Sequence, residues 1–209
     1  PLKIIKSKQF DKIELTGGKQ FKSFNYIIPG DMSSSAFFIV LTLLLKKSKL
    51  KIKNVNINPT RIGFIKIINK MGAKVQFIKK KKLYGEYFAD ICVNSQKSFK
   101  PIKCPVELNS NAIDEFLIIF LLAAKASGVS IFKKLNELNK KESPRLKLAS
   151  SILKKIGVKV KLMNDNIKIY GNPNLKINKK ILIKNYYKDH RIFMTSVIAA
   201  ICLGGESVS

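Results

Sequence analysis

With 209 residues, 46% of them hydrophobic and 25% charged, the chain is long enough to bury a real core and too apolar for a disordered polymer. Its longest apolar stretches, residues 36–45 and 116–124, fall short of the roughly 20 residues that a bilayer span requires, so they are expected to be buried helices and no membrane partner is expected. A net charge of +27 suits a nucleic-acid partner, but of 40 basic residues 37 are lysines scattered along the chain, and that spread argues for a lysine-rich surface rather than a binding stripe.

In chain order, residues 1–28 predict a strand over 12–15, a turn at Gly17 and Gly18, and a strand over 21–28. Pro29 and Gly30 then form a crossover. A first set of elements follows: helix 33–46, strand 49–55, helix 59–71, strand 74–79 and strand 86–93, with the lysines 79–82 forming a charged hairpin between the last two. A second set has the same order: helix 112–127, strand 129–133, helix 144–156, strand 158–163 and strand 166–170. A third opens with helix 190–203 and stops in a strand at 206–209. The expected starts 33, 112 and 190 lie 79 and 78 residues apart, and Lys70-Met71-Gly72-Ala73-Lys74-Val75 echoes Lys155-Ile156-Gly157-Val158-Lys159-Val160. An α/β fold of three similar units around a shared set of apolar helices is expected, with the third unit incomplete. Residues 1–28 then read as the tail of a preceding domain, and 29–209 as a second domain.

The opening Pro-Leu-Lys-Ile-Ile carries no signal or transit pattern, which makes a cytoplasmic location the expectation. Cys92, Cys104 and Cys202 are widely spaced with no CxxC, so neither a disulfide framework nor a zinc site is expected, and no metal is assigned.

Where lysine serves as the default cation, the three arginines mark places that need a planar, five-donor fork. Asn58-Pro59-Thr60-Arg61, Ser143-Pro144-Arg145 and Asp189-His190-Arg191 each begin with a helix-capping residue, which puts each arginine in a first helical turn. The macrodipole disfavours a cation there unless an anion joins it, so each position is a candidate anion site. A surface arginine tolerated at a helix start is the alternative for any one of them.

These motifs resemble those of the 5-enolpyruvylshikimate 3-phosphate synthase family. The resemblance rests on the run from Pro29 to Phe38, on Asn58 to Arg61, Lys70 to Ala73, Ile113-Asp114-Glu115, Lys141-Glu142-Ser143 with Arg145, and Asp189-His190-Arg191, in the family's order and spacing. It implies an enolpyruvyl transferase fold of βαβαββ repeats around buried helices, an inside-out α/β barrel, truncated at both ends. It also implies transfer of the enolpyruvyl group of phosphoenolpyruvate to the 5-hydroxyl of shikimate 3-phosphate, with no cofactor, in a protein that is a monomer at full length. On the resemblance, Asp114 faces the attacking hydroxyl and accepts its proton, and Glu142 gives and takes the proton at carbon. Lys141 binds a substrate hydroxyl, and Arg145 and Arg191 clamp phosphoenolpyruvate. His190 orients Glu142 or its helix start, Asp31 and Ser33 cap the first helix, and Arg61 closes an anion or carboxylate contact. Without the resemblance, Asp114 also reads as a carboxylate favouring a helix dipole, and Lys141-Glu142 as an exposed charge pair.

The chain departs from the family pattern at Glu137, Asn139 and Pro144. The family's Lys-Ser loop and its late active-site lysine have no counterpart here. The sister transferase acting on UDP-N-acetylglucosamine, a basic nucleic-acid module and a non-catalytic anion-binding domain are the competing readings.

Overall fold

The computed structural model describes residues 2–204 apart from 8, 19, 21, 179, 184 and 185. Two short strands, β1 (Leu2–Lys6) and β2 (Asp11–Leu15), pair antiparallel as an exposed hairpin. Only the second was expected. The described part of the 21–28 segment is not a strand; it is tied to the body by the Tyr84 hydroxyl, which donates to the Asn25 carbonyl at 3.1 Å, and by the Tyr26 and Tyr84 rings at 5.2 Å.

Helix α1 (Met32–Leu44) begins where the Asp31 carboxylate accepts from the Ser34 amide at 2.7 Å. Strand β3 (Lys49–Asn56), helix α2 (Gly63–Lys70), strand β4 (Val75–Leu83) and strand β5 (Glu86–Asn94) complete the first unit. The second consists of α3 (Phe116–Ala124), β6 (Val129–Phe132), α4 (Arg145–Lys155), β7 (Lys159–Met163) and β8 (Asn166–Tyr170). Helix α5 (His190–Leu203) opens the third. The strand expected at 206–209 lies outside the described residues.

The repeat is visible in the pairing. Each unit forms a three-stranded antiparallel sheet in the same order, β3-β5-β4 and β6-β8-β7. Each also has a one-rung parallel bridge just ahead of its first helix or helical turns, Gly30 with Val55 and Lys103 with Ile131, which stands for the opening strand of a βαβαββ unit. After α2 and α4 the chain turns at Gly72 and Gly157, with φ of 92° and 89°, the left-handed conformation that glycine adopts without strain.

The core lies among α1, α3 and α5, which touch one another pairwise. Helix α3 is buried at every residue, and the rings of Phe116, Phe120 and Phe132 pack in edge-to-face and tilted pairs with centroids 5.0 to 6.0 Å apart. A helix apolar all round needs cover all round, and α1, α4 and α5, together with α2 and β8, supply it.

Three boundaries differ from expectation for local reasons. Helix α2 starts four residues later than expected, because the Asn58 side chain accepts from the Thr60 amide at 3.2 Å and the Arg61 amide donates to the Asn58 carbonyl at 2.8 Å. That turn competes with the helix, so Arg61 precedes α2 instead of lying in its first turn. Residues 106–112 form two short 3-10 turns, and α3 begins only at Phe116. Lysines 79–82 belong to β4 rather than to a connecting loop: the hairpin turns at Tyr84 and Gly85, both at positive φ, 52° and 81°.

Gly63 lets α2 approach the turn leading to Asp114. A Cβ there would lie 2.5 Å from the backbone of Asn111. Gly63→Ala should therefore lower the unfolding free energy by about 1–3 kcal/mol in urea titration, as overpacking does; an unchanged midpoint would show that the turn moves aside.

Candidate active site

Residues from α3, α4, α5 and the turns before them meet at one place. Arg145, the first residue of α4, is 1% exposed and sits at the centre. Its Nε donates to Asp189 Oδ2 at 2.8 Å and its Nη2 reaches Asp189 Oδ1 at 3.4 Å, the side-on, two-pronged contact that a lysine cannot make. Nη2 also donates to Glu142 Oε2 at 2.5 Å, and Nη1 to Asp114 Oδ1 at 3.3 Å. The anions that offset this cation at a helix start are thus three of the protein's own carboxylates.

Asp189 acts in two directions. It caps α5 by accepting from the amides of Arg191 at 2.9 Å and Ile192 at 3.4 Å, and it accepts from the Ser143 hydroxyl at 2.7 Å. Ser143 is therefore spent on Asp189, and Pro144 occupies the cap position of α4 with no side-chain hydrogen bond. Burial pushes the Asp189 carboxyl up, but donation from Arg145 and Ser143 outweighs it and holds the group below its ordinary range.

Asp114 stands in the turn before α3 with cations on both oxygens. Lys141 Nζ lies 3.5 Å from Oδ1 and Arg191 Nη2 lies 3.8 Å from Oδ2, while Arg191 Nη1 donates to the Asp114 carbonyl at 3.1 Å. Asp114, Glu142 and Asp189 thus face Lys141, Arg145 and Arg191. Asp189 and Arg145 are buried, whereas the Glu142 side chain is 57% exposed at the rim. A rim carboxylate beside fixed cations can exchange protons with a molecule that those cations hold.

The remaining sequence-predicted residues lie further out. His190 is exposed, and its ring makes no hydrogen bond among the described residues; Asp189 holds the start of α5 instead. Asp31 caps α1, and Arg61 Nη2 lies 3.7 Å from it and 3.3 Å from Ser33 Oγ. Ser33 does not cap the helix: its hydroxyl donates to the buried Glu115 carboxylate. Asn139 accepts from the Lys147 amide in the first turn of α4 at 3.3 Å, and Glu137 pairs with exposed Lys140 at 3.3 Å. Sequence reasoning missed Glu115, Ser33 in this role, and the Asp189–Arg145 pair. The Asp114-Glu115 doublet ahead of an apolar run was the available signal.

Over 98% of its length the chain superimposes on 46% of an EPSP synthase from Acinetobacter baumannii, with a TM-score of 0.83 and 31% identity. At 15% identity and a TM-score of 0.61, 83% of it also shares the fold of the enolpyruvyl transferase NikO from Streptomyces tendae. The fold is therefore that of the enolpyruvyl transferases. The profile of the EPSP synthase (3-phosphoshikimate 1-carboxyvinyltransferase) family matches residues 2–208, and the chain belongs to that family. Among curated relatives, the 3-phosphoshikimate 1-carboxyvinyltransferase of Ruthia magnifica is 39% identical over 91% of this chain and 43% of its own length. That of Thermodesulfovibrio yellowstonii is 38% identical over 90% and 43%. The chain thus spans a little under half the length of the curated relatives it matches.

Proposed function

We propose that these 209 residues form part of a 3-phosphoshikimate 1-carboxyvinyltransferase of the shikimate pathway, which feeds aromatic amino acid synthesis. The observation that carries this reading is the single cluster of Asp114, Lys141, Glu142, Arg145 and Arg191 at the helix starts of a chain from that family. Both substrates, phosphoenolpyruvate and shikimate 3-phosphate, are polyanions, and the cluster supplies the cations.

In this reading Glu142 protonates C3 of phosphoenolpyruvate while Asp114 takes the proton of the 5-hydroxyl, whose oxygen bonds to C2. The tetrahedral adduct then returns a proton from C3 to Glu142. The C2–O bond to phosphate breaks, phosphate leaves with the proton that Asp114 had taken, and the enolpyruvyl ether remains. No electrons are transferred overall and no cofactor takes part. Arg145 and Arg191 hold the phosphoenolpyruvate anion, Lys141 a substrate hydroxyl, and Asp31, Arg61 and His190 support the framework. Because Arg145 already holds Glu142, an anion arriving at Arg145 displaces that carboxylate toward the reacting carbon.

The same reading makes residues 1–28 the tail of a preceding domain and 29–209 the second domain with an incomplete third repeat. The β1–β2 hairpin supports it, since Leu2, Ile4, Phe10, Ile13 and Leu15 are all exposed, an apolar surface of the kind that a further domain covers. A cytoplasmic location, a monomeric full-length protein and the absence of a nucleic-acid partner complete the proposal. Among the described residues no helix is long and apolar enough to cross a membrane.

Steady-state phosphate release tests it. A full-length protein containing this chain should release phosphate only when both substrates are present, and the 209-residue chain should release none, because the substrates bind between two domains. Turnover by the short chain would refute the two-domain part, and no turnover by the long one would refute the function.

A further inference from the structure

Glu115 is 4% exposed, and the Ser33 hydroxyl is the hydrogen-bond partner of its side chain among the described residues. A buried carboxyl held by a single donor is costly, and in a settled core an apolar residue or a glutamine would serve better. Burial pushes this group up, and the neighbouring Asp114 adds to the shift, against Ser33, Arg191 and Arg61.

The geometry around it is a continuous tether. Ser33 Oγ donates its one proton to Glu115 and accepts from Arg61 Nη2 at 3.3 Å, and Arg61 in turn lies 3.7 Å from Asp31 Oδ1. Asp31 fixes the start of α1 through Ser34. The other end of the tether is one peptide from Asp114, whose carbonyl accepts from Arg191. The turn that carries Asp114 is thus gripped on one side by α5 of the third unit and on the other by α1 of the first. Glu115 is the only side chain of the 113–115 turn that reaches α1 by a hydrogen bond among the described residues.

We propose that Glu115 is a positioning residue: through Ser33 and Arg61 it ties the turn bearing Asp114 to the first α/β unit and thereby sets where the Asp114 carboxylate meets the substrate hydroxyl. The inference rests on the function proposed above. Arg61 acts in it as the outer anchor.

Kinetics of the full-length protein test it. Glu115→Ala should lower kcat by about 10- to 100-fold, the cost of a misplacement of order 1 Å at a catalytic group, with KM for phosphoenolpyruvate changed by less than about threefold. Ser33→Ala should give a loss of similar size, and the Ser33→Ala/Glu115→Ala double variant should be no worse than Glu115→Ala alone by more than about twofold, since both cut one tether. Glu115→Gln, which can still accept from Ser33, should recover most of the activity lost in Glu115→Ala. A kcat for Glu115→Ala within about threefold of an active wild type, additive losses in the double variant, or no recovery with Gln would each overturn the inference. If Glu115→Ala does not fold, Ser33→Ala and Glu115→Gln carry the same comparison. Should the wild-type protein transfer nothing, the functional reading fails instead. The backbone amide resonance of Asp114 then decides the tether, moving in Ser33→Ala if it exists and staying in place if it does not.

Discussion

Arg145→Leu is expected to cost about 3–5 kcal/mol of folding stability, the largest effect of any single change considered for this chain, because it strands buried negative charge. Arg145 and Asp189 are 1% and 0% exposed at their side chains, and Arg145 also holds Asp114 and Glu142. A loss of that size is a large share of the 5–15 kcal/mol typical of a domain. Arg145→Lys keeps the charge without the two-pronged fit and should lose less, so it keeps the effect measurable by urea denaturation if the leucine variant does not fold. A leucine variant within about 1 kcal/mol of wild type would show that the three carboxylates find other partners. The pH dependence has a definite sign. Asp189 titrates below its ordinary value of 3.8, so its contribution is complete above that value and is lost as pH falls beneath it. Weakening the Arg145 contact should bring this acid limb to higher pH.

Glu142→Gln in the full-length protein should lower kcat by about 10² or more, the usual contribution of a positioned proton donor. It should also tighten anion binding. In the ligand-free protein the Glu142 carboxylate occupies Arg145 Nη2 at 2.5 Å, where it competes with an incoming phosphate or carboxylate. Glu142 is largely exposed, and exposed pairs are worth only about 0.2–1 kcal/mol, so the gain in affinity for phosphoenolpyruvate should be about fivefold at most. A fall in kcat together with a lower dissociation constant separates a proton-transfer group from one that only holds substrate. An unchanged kcat would remove Glu142 from the chemistry, and weaker anion binding would remove the competition.

What the sequence disclosed was whatever recurs or is local. The two Lys-x-Gly turns at Gly72 and Gly157 revealed the repeat, and the apolar runs located α1 and α3. Helix α5 was legible to the residue: Asp189 at its cap is a strong start signal, and the structure ends the helix at Gly204. The start of α2 was not legible, since Asn58 can serve either a helix cap or a local turn, and the close approach of Gly63 to Asn111 is a tertiary fact. In the site, the rarity of arginine pointed to Arg145 and Arg191, but no spacing rule connects Arg145 with Asp189, 44 residues away, or Ser33 with Glu115, 82 residues away. The resemblance to the family supplied the roles of Asp114 and Glu142, which composition and periodicity do not contain.

Those separations bear on how the molecule comes apart. Contacts that join residues 44, 77 and 82 positions apart close long loops, and the entropy of closing them makes their formation expected after the individual units have collapsed. The charged cluster is therefore expected on the late side of the folding barrier. Weakening it should steepen escape from the native state while leaving the rate of arrival nearly unchanged: in a chevron plot of Arg145→Lys the unfolding arm rises and the refolding arm stays where it was. The charged cluster then acts as a clasp fastened last, and the lifetime of the folded chain, more than its speed of assembly, depends on it.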